Sequence, residues 1–478
     1  MRSLKSIVLG LSLCFTACLP PQQRATDPGQ KVIPPLKPKP LTEVVPTDEP
    51  SAVFVLDGAP LCFAGSNNYY LTWKSKEMIE SVLKNSQKMG LKVMRQWGHL
   101  DIGSLDGSVP NVDGTGDKEG VYFQYWDTKT NQPAYNDGPD GLERLDYLIA
   151  EAKKYDIRLV LTLVNNWKEF GGMDQYVVWF GKQRHVDFYT DERIKQAYKD
   201  YANHLLNRVN SLTGVAYKDD PTIFAWELAN EPRIRNYTRF DSGREGWDGE
   251  TISKWAREMS AYLRSVDEKH LIVVGDEGFF SSGSESFYNG DDGVDHEALL
   301  ALPDIDYGTF HLYPDHWGTG LRWADGWIED HIVAARKAGK PTVLEEYGAL
   351  VKRDDAGKIT WGWERRERVY TQWNRLMLER GGTGIMYWMQ AGYDDYKKQN
   401  YTDYDGFTVY DPDTDETAKL LQQFTLPYQQ KSRACQLAKG VVAKRQVPPG
   451  FVTTSAPAGV AAPAARLSSS GWRVAARL

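Results

Sequence analysis

Short apolar runs alternate with longer amphipathic segments through most of this chain. The runs are rich in β-branched and aromatic residues and are too short for buried helices. This alternation is typical of a parallel sheet covered by helices. The eight runs lie near Leu61–Gly65, Lys92–Arg95, Leu159–Leu163, Ile223–Trp226, Leu271–Val274, Tyr307–Leu312, Thr342–Leu344 and Gly384–Tyr387.

Helical spacing is clearest in two intervening segments. Apolar residues return every three or four positions in Met78–Met89, which Gly90 ends, and in Leu142–Tyr155. Eight βα units predict an α/β fold, a closed (β/α)8 TIM barrel, as a single domain over residues 51–430. A doubly wound open sheet fits the same alternation. The barrel is favoured because polar and aromatic residues follow the ends of several different strands.

The first residues, 1–18, have the pattern of an export signal. Arg2 and Lys5 precede an apolar run, Ile7–Phe15, that is too short to span a bilayer as a helix. The residues before and at Cys18, Phe-Thr-Ala-Cys, resemble a bacterial lipobox, although leucine is usual where Phe15 stands. We expect a protein that is either lipid-anchored through Cys18 at the bacterial cell surface or secreted after ordinary cleavage.

Two further segments cannot build a core. Residues 19–50 are rich in proline and polar residues, which predicts an extended linker. Residues 431–478 carry eight Lys and Arg with no acid among Ala, Pro, Ser and Gly, which predicts a disordered basic tail. The formal net charge is −7 despite that tail, so the remaining chain is strongly acidic and nucleic acid is not expected as a partner.

Cysteine is scarce. Loss of Cys14 with the signal and lipidation of Cys18 leave only a Cys62 to Cys435 bridge open, so no disulfide framework is expected. No HExxH, paired CxxC or glycine-rich phosphate loop occurs, which predicts no metal and no cofactor. The acidic pair Asp291-Asp292 is interpreted as a solvated loop.

Two glutamates follow predicted strands in distinctive surroundings. Glu231 lies in WELANEPR after the fourth strand, and Glu346 lies in VLEEYG after the seventh. Both carboxylates should therefore face one mouth of the barrel. Hydrolysis of a glycosidic bond needs such a pair, one protonated to donate to the leaving oxygen and one ionised to attack or to activate water.

These two motifs resemble the catalytic signatures of glycoside hydrolase family 5, a retaining family on a (β/α)8 barrel. Three further strings resemble its β-1,4-mannanase branch: NNWKEFGGMDQYV from Asn165, NGDDGVDHEALL from Asn289 and TFHLYPDHWG from Thr309. The resemblance spans about residues 53–428. It implies a monomeric endo-β-1,4-mannanase acting on β-mannan, with an exo-β-mannosidase, a β-1,4-glucanase or a non-catalytic mannan-binding protein as alternatives.

The resemblance also implies roles for individual residues. Glu231 matches the acid/base, and Glu346 matches the nucleophile. The neighbouring Glu345 should point away from the substrate, because adjacent side chains of a strand face opposite sides. Burial beside Glu346 should raise the pKa of Glu231 and keep it protonated. The implied substrate-binding residues are Arg95, Trp97, Asn166, Asn230, His311, Tyr313 and Trp388, while Trp167 is interpreted as structural.

Overall fold

The computed structural model describes residues 52–56, 59–113, 118–235, 240, 249–354, 357–439 and 474–476. The predicted export signal, Cys18 and linker lie outside the described residues, as do residues 440–473 and the side chain of Cys435. No helix in the described part of the chain combines the length and apolarity needed to cross a membrane.

Eight parallel strands form the central sheet, which confirms the predicted (β/α)8 barrel. Each predicted apolar run supplies one of them. They are β3 (Phe63–Asn67), β4 (Val93–Trp97), β8 (Arg158–Thr162), β9 (Ile223–Glu227), β10 (Leu271–Val273), β11 (Gly308–Leu312), β12 (Thr342–Tyr347) and β15 (Gly384–Tyr387). Ladder hydrogen bonds join them in the order β10, β9, β8, β4, β3, β15, β12, β11.

The two end strands of this sheet approach each other and complete the barrel. The amide of Asp306 donates to the carbonyl of Ile272 at 2.8 Å, and the amide of His311 donates to the carbonyl of Glu277 at 3.1 Å. The open doubly wound sheet is therefore excluded.

Helices surround the barrel, and several of the longer ones bury one apolar face. The helix α1 (Lys76–Met89) shows how the sequence sets the limits of a helix: Ser75 accepts a hydrogen bond from the amide of Met78, and Gly90 ends the helix at a φ of 78°. The helices are α1 (Lys76–Met89), α2 (Leu142–Lys154), α3 (Gly172–Trp179), α4 (Asp187–Thr190), α5 (Glu192–Asn207), α6 (Glu250–Val266), α7 (His296–Leu300), α8 (Pro314–Trp317), α9 (Leu321–Ala338), α10 (Trp363–Arg380) and α11 (Glu416–Lys439).

A hairpin closes the N-terminal end of the barrel. Its strands are β1 (Ala52–Leu56) and β2 (Ala59–Leu61), and Phe54 packs edge-on against Phe224 and Tyr307 with ring centroids 5.2 Å apart. Apolar contact therefore seals this end, and polar chemistry is left to the opposite mouth. Smaller sheets pair β5 (Asp101–Ser104), β6 (Gln124–Asp127) and β7 (Gln132–Tyr135), β13 (Lys352–Arg353) with β14 (Ile359–Trp361), and β16 (Tyr393–Asp394) with β17 (Gln399–Asn400).

The predicted start of the basic tail is wrong. Helix α11 continues to Lys439, and the buried Lys431 donates to the carbonyl of Leu378 at 2.7 Å, so the folded domain extends past residue 430. Within the predicted tail, β18 (Val474–Ala476) also pairs antiparallel with β1. An edge strand such as β1 offers unpaired backbone groups that a further strand can satisfy.

Candidate active site

Four strands bring charged side chains to the mouth of the barrel opposite the hairpin. Arg95 lies on β4, Glu227 on β9, His311 on β11 and Glu346 on β12. All four side chains are buried. Buried charges require partners, so the contacts among these groups define the chemistry of the site.

Arg95 connects three carboxyl-terminal strand ends. It is fully buried, and its Nε and Nη2 donate to both oxygens of Glu227 at 2.7 Å. Nη2 also donates to Oδ1 of Asn230 at 2.6 Å, and Nη1 donates to Oε1 of Glu346. Two hydrogen bonds to Glu227 thus hold the guanidinium group of Arg95, and Nη1 of that group contacts the carboxylate of Glu346. Arg95, which was predicted as a site residue, thus contacts the carboxylate of Glu346.

Glu346 has a donor on each oxygen. Arg95 contacts Oε1, and the hydroxyl of Tyr313 donates to Oε2 at 2.7 Å. Burial raises the pKa of Glu346, and the charges of His311 and Arg95 oppose that rise without cancelling it. Two fixed donors orient the carboxylate and favour its ionised form.

Glu231 occupies a strained turn after β9. Its φ is 51°, in the left-handed region that residues other than glycine rarely adopt, and such conformations persist where the surroundings enforce them. Its Oε1 lies 2.7 Å from Nδ1 of His311, and its Oε2 accepts from the indole of Trp167 at 2.5 Å. Trp167 therefore contacts the carboxylate directly, which the sequence analysis did not predict.

The predicted rise in the pKa of Glu231 is wrong for this arrangement. Burial does raise the pKa of Glu231, but the hydrogen bond and charge of His311 outweigh it, together with Arg233 and Trp167, and lower it to about 2. The pKa of His311 is correspondingly raised well above its usual value: burial lowers it, and the negative charges of Glu346 and Glu231 reverse this.

His311 and Glu231 therefore have one proton between them, and these pKa shifts favour its position on His311. Transfer of that proton along the 2.7 Å contact converts an ion pair into a neutral imidazole and a protonated carboxyl group. Nδ1 of His311 also lies 3.7 Å from Oε2 of Glu346. Ligand atoms of these three residues all lie within 4.8 Å of one another, so the two carboxyl groups face each other across a narrow gap.

A β-bulge changes the expected position of Glu345. Phe310 and His311 are consecutive in β11 but pair with residues two apart in β12, so Glu345 is the extra residue. The expectation that Glu345 and Glu346 face opposite sides of the strand is therefore wrong. Both contact Arg95 inside the barrel: Oε2 of Glu345 lies 3.6 Å from Nε of Arg95, and Oε1 of Glu346 accepts a hydrogen bond from Nη1.

A family model described as "GH family 5 beta-mannosidase-like" matches residues 44–419. The chain belongs to glycoside hydrolase family 5. This confirms the resemblance inferred from the two glutamate motifs.

This family 5 chain is similar to several known proteins. It is 36% identical over 359 residues to mannan endo-1,4-beta-mannosidase A of Podospora anserina, covering 75% of this chain and 84% of that protein. Among solved structures, the endo-1,4-beta-mannanase of Rhizomucor miehei is 36% identical with a TM-score of 0.69, covering 82% of this chain and all of that one. The endo-beta-1,4-mannanase of Thermotoga petrophila is 41% identical with a TM-score of 0.66, covering 78% of each chain.

Four aromatic rings line the same mouth of this family 5 barrel. Trp388 stacks on Tyr69 at 5.9 Å and lies 6.1 Å from Trp97, while Phe170 lies 5.8 Å from Tyr69 and 6.3 Å from Trp97. The indole of Trp388 donates to Asp405 at 2.7 Å, which fixes the ring. The predicted Trp97 and Trp388 are thus brought together, whereas Tyr69 and Phe170 follow other strands and were missed.

Asn230 and Asn166 both lie close to Glu231, but their side chains make different contacts. Asn230 accepts from Arg95, as described, and its Nδ2 donates to Oδ1 of Asn165 at 2.9 Å. Asn166 is completely buried, and its Oδ1 accepts from the amide of Arg233 at 3.2 Å. The structure therefore buries Asn166, which was predicted to bind substrate, against the backbone on either side of Glu231.

The interpretation of Asp292 as a solvated loop acid is wrong. Asp292 is buried, and its Oδ1 lies 3.2 Å from Nη1 of Arg233. The other two guanidinium donors of Arg233 contact Glu277 at 2.5 Å. Asp291 is exposed and contacts Asn289, so the prediction holds for that member of the pair alone.

Within the described ranges, one group of three side chains has the spacing of metal ligands, and it is the site itself: Glu231, His311 and Glu346. Both oxygens of Glu346 already accept hydrogen bonds from Arg95 and Tyr313. The nearby positive charge of Arg95 also opposes a cation. The arrangement therefore suits proton transfer and nucleophilic attack better than metal binding.

Proposed function

We propose that this protein is a retaining endo-β-1,4-mannanase that hydrolyses internal bonds of mannan, glucomannan or galactomannan. The observation that supports retention is the short separation of the two carboxyl groups, of which one oxygen each lies within 4.8 Å of the other. Retaining glycosidases hold the pair about 5 Å apart, whereas inverting enzymes leave about 6.5–9.5 Å for a water molecule.

In the first step, Glu346 attacks the anomeric carbon and the bond to the leaving sugar oxygen breaks. Arg95 and Tyr313 hold the two oxygens of the attacking carboxylate. Glu231 donates the proton that it shares with His311 to the departing oxygen, which leaves as a hydroxyl group. The products of this step are a covalent glycosyl ester on Glu346 and a departing chain with a free 4-hydroxyl at its new non-reducing end.

In the second step, the ionised Glu231 accepts a proton from water as that water attacks the anomeric carbon of the ester. The bond to Glu346 breaks, and its carboxylate is restored. Two displacements at one carbon return the original configuration. Asn230, fixed by Arg95 and Asn165, is placed to contact a sugar hydroxyl beside the reacting carbon.

The four aromatic rings suit contact with a sugar ring of the substrate. The C–H faces of a pyranose ring pack against aromatic faces, and Trp388 is held rigidly by Asp405 for such a contact. Trp97, Tyr69 and Phe170 extend this apolar surface.

Internal cleavage is supported by the names of the relatives, which are endo-acting mannanases. The product profile on linear mannan tests it. We expect short oligosaccharides of several lengths to appear early; mannose as the sole early product would assign the chain as an exo-β-mannosidase, and activity on β-1,4-glucan alone would assign a glucanase. Failure to hydrolyse soluble galactomannan while binding it would indicate a non-catalytic binder.

We further propose that the chain is exported and acts as a monomer at, or released from, the bacterial cell surface. Support for export comes from the basic and apolar pattern of residues 1–18 and the lipobox-like sequence that ends at Cys18. A monomer suffices because one chain supplies both carboxyl groups of the site. Mass spectrometry of the mature N-terminus and light scattering test these two proposals.

A further inference from the structure

The turn that carries Glu231 is bracketed by Asn166. The amide of Asn166 donates to the carbonyl of Asn230 at 3.0 Å, and its Oδ1 accepts from the amide of Arg233 at 3.2 Å. Between these contacts lie Glu231, with its left-handed φ of 51°, and Pro232, which has no amide hydrogen to offer. One asparagine therefore contacts the backbone on both sides of the strained residue.

Two further buried residues hold Asn166. Nε2 of His185 lies 3.0 Å from Oδ1 of Asn166, and Nδ1 of His185 lies 2.7 Å from Oδ1 of Asp174. The side chains of His185 and Asp174 have no exposed surface. A carboxylate on one ring nitrogen fixes the orientation of the imidazole, and the second nitrogen then fixes its partner. Asp174 belongs to α3, and His185 lies just before α4.

We infer that Asp174, His185 and Asn166 form a positioning relay that holds Glu231 where it can donate its proton. This inference rests on the proposed acid/base role of Glu231. None of the three relay residues contacts substrate in this account, so they act through Glu231.

The relay acts on the acid/base and not on the nucleophile. Glu346 is held by Arg95 and Tyr313, whose contacts do not involve α3 or the segment before α4. Loss of the relay should therefore displace Glu231 while leaving attack by Glu346 intact. Displacements of about 1 Å at a reacting group reduce turnover on the order of 100-fold.

The test compares two substrates in a His185→Leu variant. Mannopentaose needs a proton on its leaving oxygen, whereas a 2,4-dinitrophenyl β-mannobioside does not. We expect kcat/KM for mannopentaose to fall on the order of 100-fold and kcat/KM for the dinitrophenyl substrate to change little. An equal loss on both substrates, or no loss on either, would overturn the inference.

Matched variants keep the result interpretable. His185→Gln retains a donor that can contact Asn166 and should recover part of the mannopentaose activity. His270→Leu removes another buried histidine, whose Nδ1 lies 2.6 Å from Asp267 near the opposite end of the barrel. This variant should lower stability without distinguishing the substrates.

If His185→Leu does not fold, Asp174→Asn replaces it, because asparagine keeps the volume of the side chain. Asp174→Asn should show the same selective loss on mannopentaose to a smaller degree, and no selective loss in this variant would equally overturn the relay.

Glu231→Ala separates failure of the relay from failure of the proposed function. This variant must show the selective loss on mannopentaose if Glu231 is the acid. A selective loss in Glu231→Ala but not in the His185 and Asp174 variants would refute the relay alone. No selective loss in Glu231→Ala would refute the acid/base assignment itself.

Discussion

Replacement of His311 by asparagine should narrow the pH range in which mannan is cleaved. In the native site, burial raises the pKa of Glu231, but His311 lowers it to about 2, and the proton of the pair resides on His311, whose own pKa is well above its usual value. Activity toward mannan then falls at alkaline pH as this shared proton is lost. Removal of His311 leaves Glu231 to hold the proton alone.

The direction of the shift follows from the contacts that remain. Without His311, burial still raises the pKa of Glu231 while Arg233 and Trp167 lower it, and the alkaline limb then reports a carboxyl group instead of an imidazole. The limb should move toward acid pH. The lost contact of 2.7 Å involves charged groups, and such hydrogen bonds contribute roughly 1.5–3 kcal/mol, so kcat/KM at the optimum should also fall about 10- to 100-fold.

The assay is kcat/KM for mannopentaose as a function of pH in the native protein and in His311→Asn. The dinitrophenyl β-mannobioside is the control, because its leaving group needs no proton and its alkaline limb should be insensitive to the substitution. An alkaline limb that stays in place with mannopentaose would refute the shared-proton account of His311 and Glu231.

Three further outcomes are expected. Glu346→Ala should lose turnover by several orders of magnitude and be rescued by azide with inversion at the anomeric carbon, as shown by NMR of the product; rescue with retention would exclude Glu346 as nucleophile. Tyr313→Phe removes a donor that lowers the pKa of Glu346, so the acid limb of the pH profile should move to higher pH and kcat/KM should fall about tenfold; an unmoved limb would contradict this role. Cys18→Ser should abolish partition into a detergent phase without changing turnover, and an unmodified mature N-terminus in the native protein would indicate free secretion.

The barrel strands were predictable because each is a short apolar run buried on both faces. Val343 and Leu344, for example, are both apolar although one faces the barrel interior and the other faces the helices. The motifs at the strand ends identify Arg95, Tyr313 and Glu346 as site residues, and the structure brings these three together.

The remaining features depend on geometry that no local pattern encodes. Glu345 lies inside the barrel because of a bulge, and a one-residue insertion in a ladder leaves no trace in hydrophobic spacing. His185 and Asn166 are 19 residues apart and meet only after α3 has folded against the barrel. The predicted direction of the pKa shift of Glu231 has the wrong sign, because burial raises that pKa less than His311, Arg233 and Trp167 together lower it.

The most direct test of the account is the covalent intermediate in Glu231→Ala. This variant retains the nucleophile but lacks the base that activates water, so reaction with a 2,4-dinitrophenyl β-mannobioside should release dinitrophenol in a burst and leave the sugar on the protein. Mass spectrometry of proteolytic peptides should locate the added disaccharide on Glu346. Attachment at Glu345 or another residue, or full turnover with no adduct, would contradict the assignment of Glu346 and Glu231 as the retaining pair.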